Sequence, residues 1–204
     1  MATEIIDISQ LNPNGVYSYA DYFTWKFTES VEVIKGKLVQ MAAPKTKHQR
    51  ISWQLSKALI LCLENKSCEA FSAPFDVRLY DSKKSKKADK DIFTVVQPDL
   101  CVICDATKID ERGCLGAPDL IIEILSDGNS KKEMQTKFEL YQELGVLEYW
   151  IADPQHESIQ QFLLNETTDK YEIVRMSVKP DFLNSVVFPD LGIDLDEIFK
   201  VPNF

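Results

Sequence analysis

The sequence lacks any run of apolar residues long enough to cross a bilayer, which would need roughly 20 in succession. Its first ten residues, MATEIIDISQ, also lack the basic start and the apolar core of a signal peptide. We therefore expect a cytoplasmic protein that does not associate with membranes. The five cysteines fit this expectation, because their number is odd and most of them lie among apolar neighbours.

A metal or redox motif is also missing from the cysteine pattern. Cys101 and Cys104 have the C-x-x-C spacing, but they fall in a segment that is predicted to be a strand. Residues three apart in a strand point to opposite faces. We therefore expect no metal or redox role for this pair.

An excess of positive charge is absent. The chain has 23 Lys and Arg against 32 Asp and Glu, which gives a formal net charge of −9. General polyanion binders usually carry a strong positive field, so any contact with nucleic acid would need a local basic surface. Five lysines between residues 81 and 91 offer one, and this segment is either a solvated loop or a flexible arm that contacts phosphates.

The sequence has neither an internal repeat nor a long flexible tract that would separate two domains. With 204 residues, of which 45% are hydrophobic, the chain is long enough to bury one substantial core. We interpret residues 1–204 as a single domain.

The hydrophobic pattern predicts an α/β protein. Segments 95–104 and 116–126 are almost continuously apolar, which is typical of strands in the middle of a sheet that is covered on both faces. The other predicted elements are a short aromatic helix at 18–27, a hairpin at 31–41, a helix at 47–65 capped by Thr46, a strand at 70–80, a helix at 130–144, strands at 147–152, 158–164 and 171–176, and a short helix at 194–199.

Glu123 lies in the middle of the apolar segment GAPDLIIEILS. A buried carboxylate costs several kcal/mol unless it is paired. Asp119 shares its face but is roughly 13 Å away along the strand, which is too far to share an ion. Asp99 begins another strand, and it would approach Glu123 closely if the two strands were neighbours, because paired strands lie about 4.8 Å apart. Two close carboxylates need a cation, and oxygen ligands favour Mg²⁺ or Mn²⁺.

Three further polar side chains are candidates whose surroundings the residues alone leave open. Lys137 falls on the buried face of the predicted helix, so its partner is either the carboxylate site or Glu133, one turn earlier. Glu32 either points inward or is an edge-strand charge that discourages aggregation, and the second interpretation is favoured. For His48, at the start of its helix, a packing role is favoured over a catalytic one.

Taken together, these residues resemble a known family. Over residues 19–199 the chain is similar to the Uma family, which contains restriction endonucleases of the PD-(D/E)XK nuclease superfamily. The motifs that carry the resemblance are Glu32-x-x-x-Gly36-x-Leu38, His48-Gln49, Gln97-Pro98-Asp99-Leu100, Gly116-Ala-Pro-Asp-Leu-Ile-Ile-Glu123-Ile-Leu-Ser126, Lys137-x-x-x-Tyr141 and Gly145-Val-x-Glu148-Tyr-Trp-Ile.

The resemblance implies a restriction-endonuclease-like α/β fold, with a mixed central β-sheet flanked by helices and an N-terminal β-hairpin. It also implies Mg²⁺-dependent (or Mn²⁺-dependent) hydrolysis of phosphodiester bonds in nucleic acid, with DNA the expected substrate. A homodimer is one expectation, because nucleases that cut two strands often work as dimers. Asp99 and Glu123 correspond to the metal ligands of the superfamily, and Glu32 corresponds to an additional catalytic glutamate.

The chain departs from the superfamily at two positions. The superfamily lysine would fall at residue 125, where this chain has Leu125. In the Uma family the lysine lies on the following helix, which corresponds to Lys137, so the resemblance favours a catalytic role for that residue. Glu133 stands where members usually carry aspartate, and the negative charge is retained.

Two other functions are weighed against a nuclease. A catalytically inactive module that keeps the nuclease fold and binds or regulates is favoured by the net charge of −9. Glycoside hydrolysis by two carboxylates is a third, less favoured hypothesis, which predicts an aromatic cleft and no dependence on metal.

Overall fold

The computed structural model describes residues 4–80, 88–126 and 131–200. Most of the lysine-rich segment, residues 81–87, lies outside these ranges. The helices are α1 (Tyr19–Tyr22), α2 (Thr46–Leu63), α3 (Lys131–Leu144) and α4 (Leu195–Ile198), with short 3₁₀ turns at Ile8–Gln10, Asp89–Asp91 and Ala106–Lys108. The strands are β1 (Val31–Ile34), β2 (Lys37–Gln40), β3 (Glu69–Ser72), β4 (Val77–Leu79), β5 (Thr94–Val96), β6 (Leu100–Ile103), β7 (Ile109–Asp110), β8 (Gly113–Leu115), β9 (Leu120–Ile124), β10 (Glu148–Asp153), β11 (Ser158–Asn165), β12 (Lys170–Val178), β13 (Phe182–Asn184) and β14 (Gly192–Asp194).

These strands form two six-stranded sheets and one small hairpin. The central sheet has the order β12-β11-β10-β9-β6-β3, and it is mixed because β9 and β10 run parallel whereas its other neighbours are antiparallel. The second sheet has the order β2-β1-β5-β4-β8-β7. Strands β13 and β14 pair with each other.

The alternation of side chains along β9 divides the core into two layers. Ile122 and Ile124 belong to the layer that is shared with Leu55 and Leu59 of α2. Ile121 points to the opposite face, where the second sheet and α3 cover the central sheet. Glu123 is two residues from Ile121 and therefore shares this second face, which places its carboxylate under α3.

The predicted fold class is confirmed, because the chain forms a mixed α/β structure with the expected N-terminal hairpin. In the turn of that hairpin, Lys35 and Gly36 have φ angles of 49° and 78°. Two consecutive positive φ angles suit a tight two-residue hairpin turn, and glycine adopts them without strain.

Two predicted strands are wrong in one respect, because each is divided between the two sheets. Segment 70–80 forms β3 in the central sheet and then β4 in the second, whereas segment 95–104 forms β5 in the second sheet and then β6 in the central one. Pro74 and Pro98 lie at the two interruptions. Proline has no backbone N–H to donate to a ladder, so a strand commonly ends beside it.

Smaller differences concern the ends of elements and the hairpins. Helix α2 begins at Thr46 itself, and its N-cap residue is Lys45, which makes no capping side-chain bond. The pattern also did not predict the short hairpins β7–β8 and β13–β14. Their strands are two or three residues long, which is too short to show a period.

The cysteines have different states. Cys68 and Cys104 form a disulfide between the ends of the neighbouring strands β3 and β6, a pairing that the spacing of the cysteines did not predict. Cys101 is a free, buried thiol, so the C-x-x-C pair does not act as a unit. None of the helices in the described ranges combines the length and apolar character needed to cross a membrane.

Candidate active site

The site is built on β9 and its antiparallel neighbour β6. Leu100 of β6 is opposite Ile122 of β9, so Asp99, one residue earlier, lies beside Glu123. The backbone N–H of Ile124 donates to Oδ2 of Asp99 over 2.8 Å. The structure therefore contains the expected pair of neighbouring strands, and it brings both carboxylates to the same place.

Lys137 reaches the site from α3. Its Nζ is 2.9 Å from Oε1 of Glu123 and 3.1 Å from Oε1 of Glu32. Of the two partners that the sequence left open for Lys137, the carboxylate site is therefore the one that the structure shows. Leu125, where a lysine would stand in the wider superfamily, packs against the core on the α3 side of the sheet.

Glu32 points inward from β1. This strand lies between β2 and β5, so the interpretation of Glu32 as an edge-strand charge is wrong. The side chain is buried, and its Oε1 also accepts a hydrogen bond of 2.9 Å from the backbone N–H of Gln97. The strand that makes β1 internal comes some 60 residues later, which local periodicity could not reveal.

Tyr141 is a further member of the site, which the sequence indicates only through the motif Lys137-x-x-x-Tyr141. It follows Lys137 by four residues, so the two side chains share a face of α3. Its hydroxyl donates to Oε1 of Glu123 over 2.6 Å. Burial and the nearby charges of Glu123 and Glu32 hold the pKa of Tyr141 well above its usual value, which keeps the hydroxyl protonated as a donor.

The site holds more negative than positive charge. Burial raises the pKa of Glu123 to about 7; Lys137 opposes this, while the carboxylates of Asp99 and Glu32 reinforce it. Burial by itself would lower the pKa of Lys137, but attraction to Glu123 and Glu32 outweighs it and raises that pKa, so the ammonium stays charged. Lys137 contacts two of these three carboxylates, and the surplus negative charge is an unfavourable state that a divalent ion would relieve.

His48 contacts the site from the first turn of α2. Its Nε2 is 3.1 Å from Oδ2 of Asp99. Burial tends to lower the pKa of His48, but the hydrogen bond and the charge of Asp99 outweigh that effect and raise it. The sequence alone favours a packing role for this residue, and the contact with Asp99 becomes visible only in the fold.

Each carboxylate on the two strands keeps one oxygen free of donors from the described residues. Glu123 accepts both of its hydrogen bonds on Oε1, and Asp99 accepts both of its own on Oδ2. The two side chains are 13% and 19% exposed, so they are not sealed from solvent. Two partly exposed oxygen ligands fit Mg²⁺ or Mn²⁺, which bind through one or two carboxylates and complete their shell with waters and phosphates.

A metal cage made entirely of protein side chains is not present in the part of the chain that the structure describes, where no group of three or more His, Cys, Asp or Glu could hold an ion. Asp119, the other Pro-Asp aspartate, is engaged elsewhere, because its Oδ2 accepts from the backbone N–H of Cys104 over 2.8 Å. This agrees with its predicted separation from Glu123.

Known proteins resemble the chain in both sequence and structure. A profile of the Uma2 family, described as "Putative restriction endonuclease", matches residues 19–196. "Uncharacterized protein sll1609" of Synechocystis sp. is 27% identical over 129 residues, which covers 62% of this chain and 67% of that protein.

A crystal structure from Anabaena variabilis, of a "putative nuclease belonging to DUF820", superposes with a TM-score of 0.69. The superposition covers 90% of this chain and 97% of the other at 19% identity, so it supports the fold alone. The profile match, by contrast, spans most of the chain and includes all four predicted site residues, Glu32, Asp99, Glu123 and Lys137. The chain therefore belongs to the Uma2 family of restriction-endonuclease-like proteins.

Proposed function

We propose that the chain is a divalent-metal-dependent endonuclease that hydrolyses phosphodiester bonds of nucleic acid, with DNA as the expected substrate. The observation that carries this proposal is the contact of one partly buried lysine with two glutamates, beside a third carboxylate on the adjacent strand. An ion pair that served stability alone would balance its charges, whereas this site keeps an excess of carboxylates on partly exposed side chains.

Asp99 and Glu123 would hold Mg²⁺ or Mn²⁺ through the oxygens that accept no hydrogen bond from the described residues. A bound ion of this kind lowers the pKa of water and offsets charge on a phosphoryl oxygen. Lys137 would contact a phosphate or orient the attacking water, and Glu32, which contacts its ammonium, would hold it in position.

Substitution of the central glutamate tests the proposal. We expect Glu123→Gln to reduce Mg²⁺-dependent cleavage by about 100-fold or more, which is the typical loss when an essential electrostatic group is removed. Supercoiled DNA, single-stranded DNA and RNA would be incubated with Mg²⁺, Mn²⁺ or EDTA and separated on gels. Glu143→Gln, on an exposed part of the same helix, is the matched control. Cleavage that persists equally in Glu123→Gln, or that is absent from the wild type under every condition, would contradict the proposal.

A catalytically inactive module is the second candidate. The net charge of −9 favours it, and so does the contact of Lys137 with Glu123, which partly neutralises the carboxylates. Calorimetric titration with Mn²⁺ separates the two functions, because an inactive module without a metal site would release no binding heat while remaining folded.

Three further properties belong to this proposal. Two-strand cleavage would suit a homodimer, which analytical ultracentrifugation would detect. The five lysines of residues 81–91, most of which lie outside the described residues, would supply the local basic surface that an acidic protein needs for nucleic acid. A cytoplasmic location is also expected, although the Cys68–Cys104 bond counts against it because disulfides are rare there. Alkylation of free thiols in fresh lysate would show whether Cys68 and Cys104 are bonded in the cell.

A further inference from the structure

The chain has two histidines, and each contacts an aspartate in very different surroundings. His48 is only 8% exposed, and its Nε2 is 3.1 Å from Oδ2 of Asp99. The side chain of His156 is 68% exposed, and its Nδ1 is 2.7 Å from Oδ2 of Asp153. The same kind of pair thus occurs once beside the candidate active site and once on the surface, which provides an internal control.

The hydrogen bond fixes which nitrogen of His48 carries a proton. An ionised carboxylate can only accept, so Nε2 must be the donor to Asp99. The other nitrogen, Nδ1, is buried and has no hydrogen-bond partner among the described residues. An unpaired buried nitrogen is unfavourable. A residue that served packing alone would be better replaced by an apolar side chain, so the bond to Asp99 is the feature that accounts for a histidine at this position.

Oδ2 of Asp99 is held from two directions. The backbone N–H of Ile124 donates from β9, and His48 donates from α2, which packs on the opposite face of the central sheet. With a single donor, the carboxylate could rotate about that contact. With two donors on separate elements, the plane of the carboxylate is fixed, and so is the direction of Oδ1.

We propose that His48 is a positioning residue, which donates from Nε2 to Oδ2 of Asp99 and thereby holds Oδ1 in the orientation that binds the metal ion. This role rests on the proposed function, since it assumes that Asp99 is a metal ligand. It follows the general rule that a ligand is oriented by a hydrogen bond on the side away from the ion.

Two substitutions separate donation from packing. The side-chain amide nitrogen of Gln lies near the position of Nε2 in histidine. The amide nitrogen of Asn lies near the position of Nδ1, and the Asn side chain is too short to reach Asp99. We expect His48→Asn to weaken Mn²⁺ binding by about 10-fold or more, the usual effect of losing an outer-shell partner. His48→Gln should regain most of the lost affinity. His156→Asn, the matched surface control, should bind Mn²⁺ as the wild type does.

Calorimetric titration with Mn²⁺ measures these affinities, and thermal unfolding checks that each variant folds. The proposal is overturned if His48→Asn keeps the wild-type affinity, or if His48→Asn and His48→Gln lose affinity equally. A wild-type protein that binds no Mn²⁺ would instead refute the metal-dependent function, and the role of His48 would fall with it.

A measurement on the metal-free wild type tests the hydrogen bond by itself. Long-range ¹H–¹⁵N NMR spectra of a protein with two histidines are simple enough to assign with the His156→Asn variant. We expect a proton on Nε2 of His48 and a proton on Nδ1 of His156. An unprotonated Nε2 in His48 would overturn the proposal whatever the metal titrations show.

Discussion

Two glutamates lie on adjacent strands of the central sheet, and both their exposure and their partners differ. Glu148 of β10 is completely buried, and both of its oxygens are used. All of its donors are neutral: the Trp150 indole at 2.7 Å, the Gln161 amide at 2.6 Å, the Ser185 hydroxyl at 2.6 Å, and the backbone N–H groups of Val186 at 3.2 Å and Val187 at 2.8 Å.

Glu123 of β9 has a different environment. Its two donors share a single oxygen, one of them is the ammonium of Lys137, and two further carboxylates are close enough to raise its pKa. Glu148 is therefore a structural charge, dispersed over hydrogen bonds that tie β10 to residues 185–187. Glu123 is partly exposed and lies among negative charges that its donors do not fully neutralise. The hydrogen-bond partners of the two glutamates thus distinguish a candidate active-site carboxylate from a structural one.

We expect the largest effect on stability from removing the carboxylate of Glu148, the structural glutamate of the two. Glu148→Ala would leave several donors buried without an acceptor, and we expect it to lower the free energy of unfolding by about 3–5 kcal/mol. Urea denaturation followed by circular dichroism measures this change. A loss below about 1 kcal/mol would mean that water replaces the carboxylate easily, and the contrast with Glu123 would no longer hold.

The second-largest expected effect is stabilisation by a metal ion, which should depend on Glu123 and not on Glu148. If Asp99 and Glu123 bind Mn²⁺, an ion concentration 100 times the Kd should stabilise the wild type by about 2.7 kcal/mol, and EDTA should reverse the effect. Glu123→Gln should lose this stabilisation. Glu148→Gln should keep it, provided that the variant is folded. Thermal unfolding with and without Mn²⁺ measures both, and equal stabilisation of all three proteins would place the ion elsewhere.

The pH dependence of stability without metal sharpens the comparison further. Because the pKa of Glu123 is raised to about 7 in the folded protein, the folded state binds a proton more tightly than the unfolded chain does. Ionisation of Glu123 therefore destabilises the protein as the pH rises from about 4.5 towards 7, and the full effect is present above that range.

We accordingly expect the free energy of unfolding of Glu123→Gln, relative to that of the wild type, to increase by on the order of 1 kcal/mol between pH 5 and pH 8 in EDTA. Urea denaturation at several pH values measures the difference between the two proteins. A difference that stays constant with pH, or that changes in favour of the wild type, would show that Lys137 already satisfies the charge of Glu123.

The sequence predicts the two strand carboxylates well, and the reason is local. The almost continuous apolar run at 116–126 identifies Glu123 as a charge in a buried strand, and the spacing of paired strands indicates Asp99 as its neighbour. The resemblance to the Uma family adds Lys137 and Glu32. Apart from Trp150, two positions away, the partners of Glu148 escape such reasoning, because they lie 13 to 39 positions later in the chain, in β11 and in the segment after β13.

The course of the chain between the two sheets was less predictable for a similar reason. The apolar patterns of 70–80 and 95–104 continue across Pro74 and Pro98, and periodicity alone does not show that a strand changes sheets at a proline. The inward direction of Glu32 depends on β5, which pairs with β1 only after the chain has returned from α2 and β4.

The smallest expected effect concerns the hydroxyl of Tyr141. Tyr141→Phe removes one donor to Oε1 of Glu123 and leaves the ring packing unchanged, so the lost hydrogen bond should cost about 1 kcal/mol. Lys137 still binds the same oxygen, and we therefore expect cleavage to fall by only about 10-fold. The corresponding change beside Glu148 is Ser185→Ala, which should affect stability and leave cleavage unchanged. If Tyr141→Phe instead lowered stability without affecting cleavage, Glu123 would resemble Glu148 in this respect. The distinction between an active-site glutamate and a structural one would then have to rest on Lys137 alone.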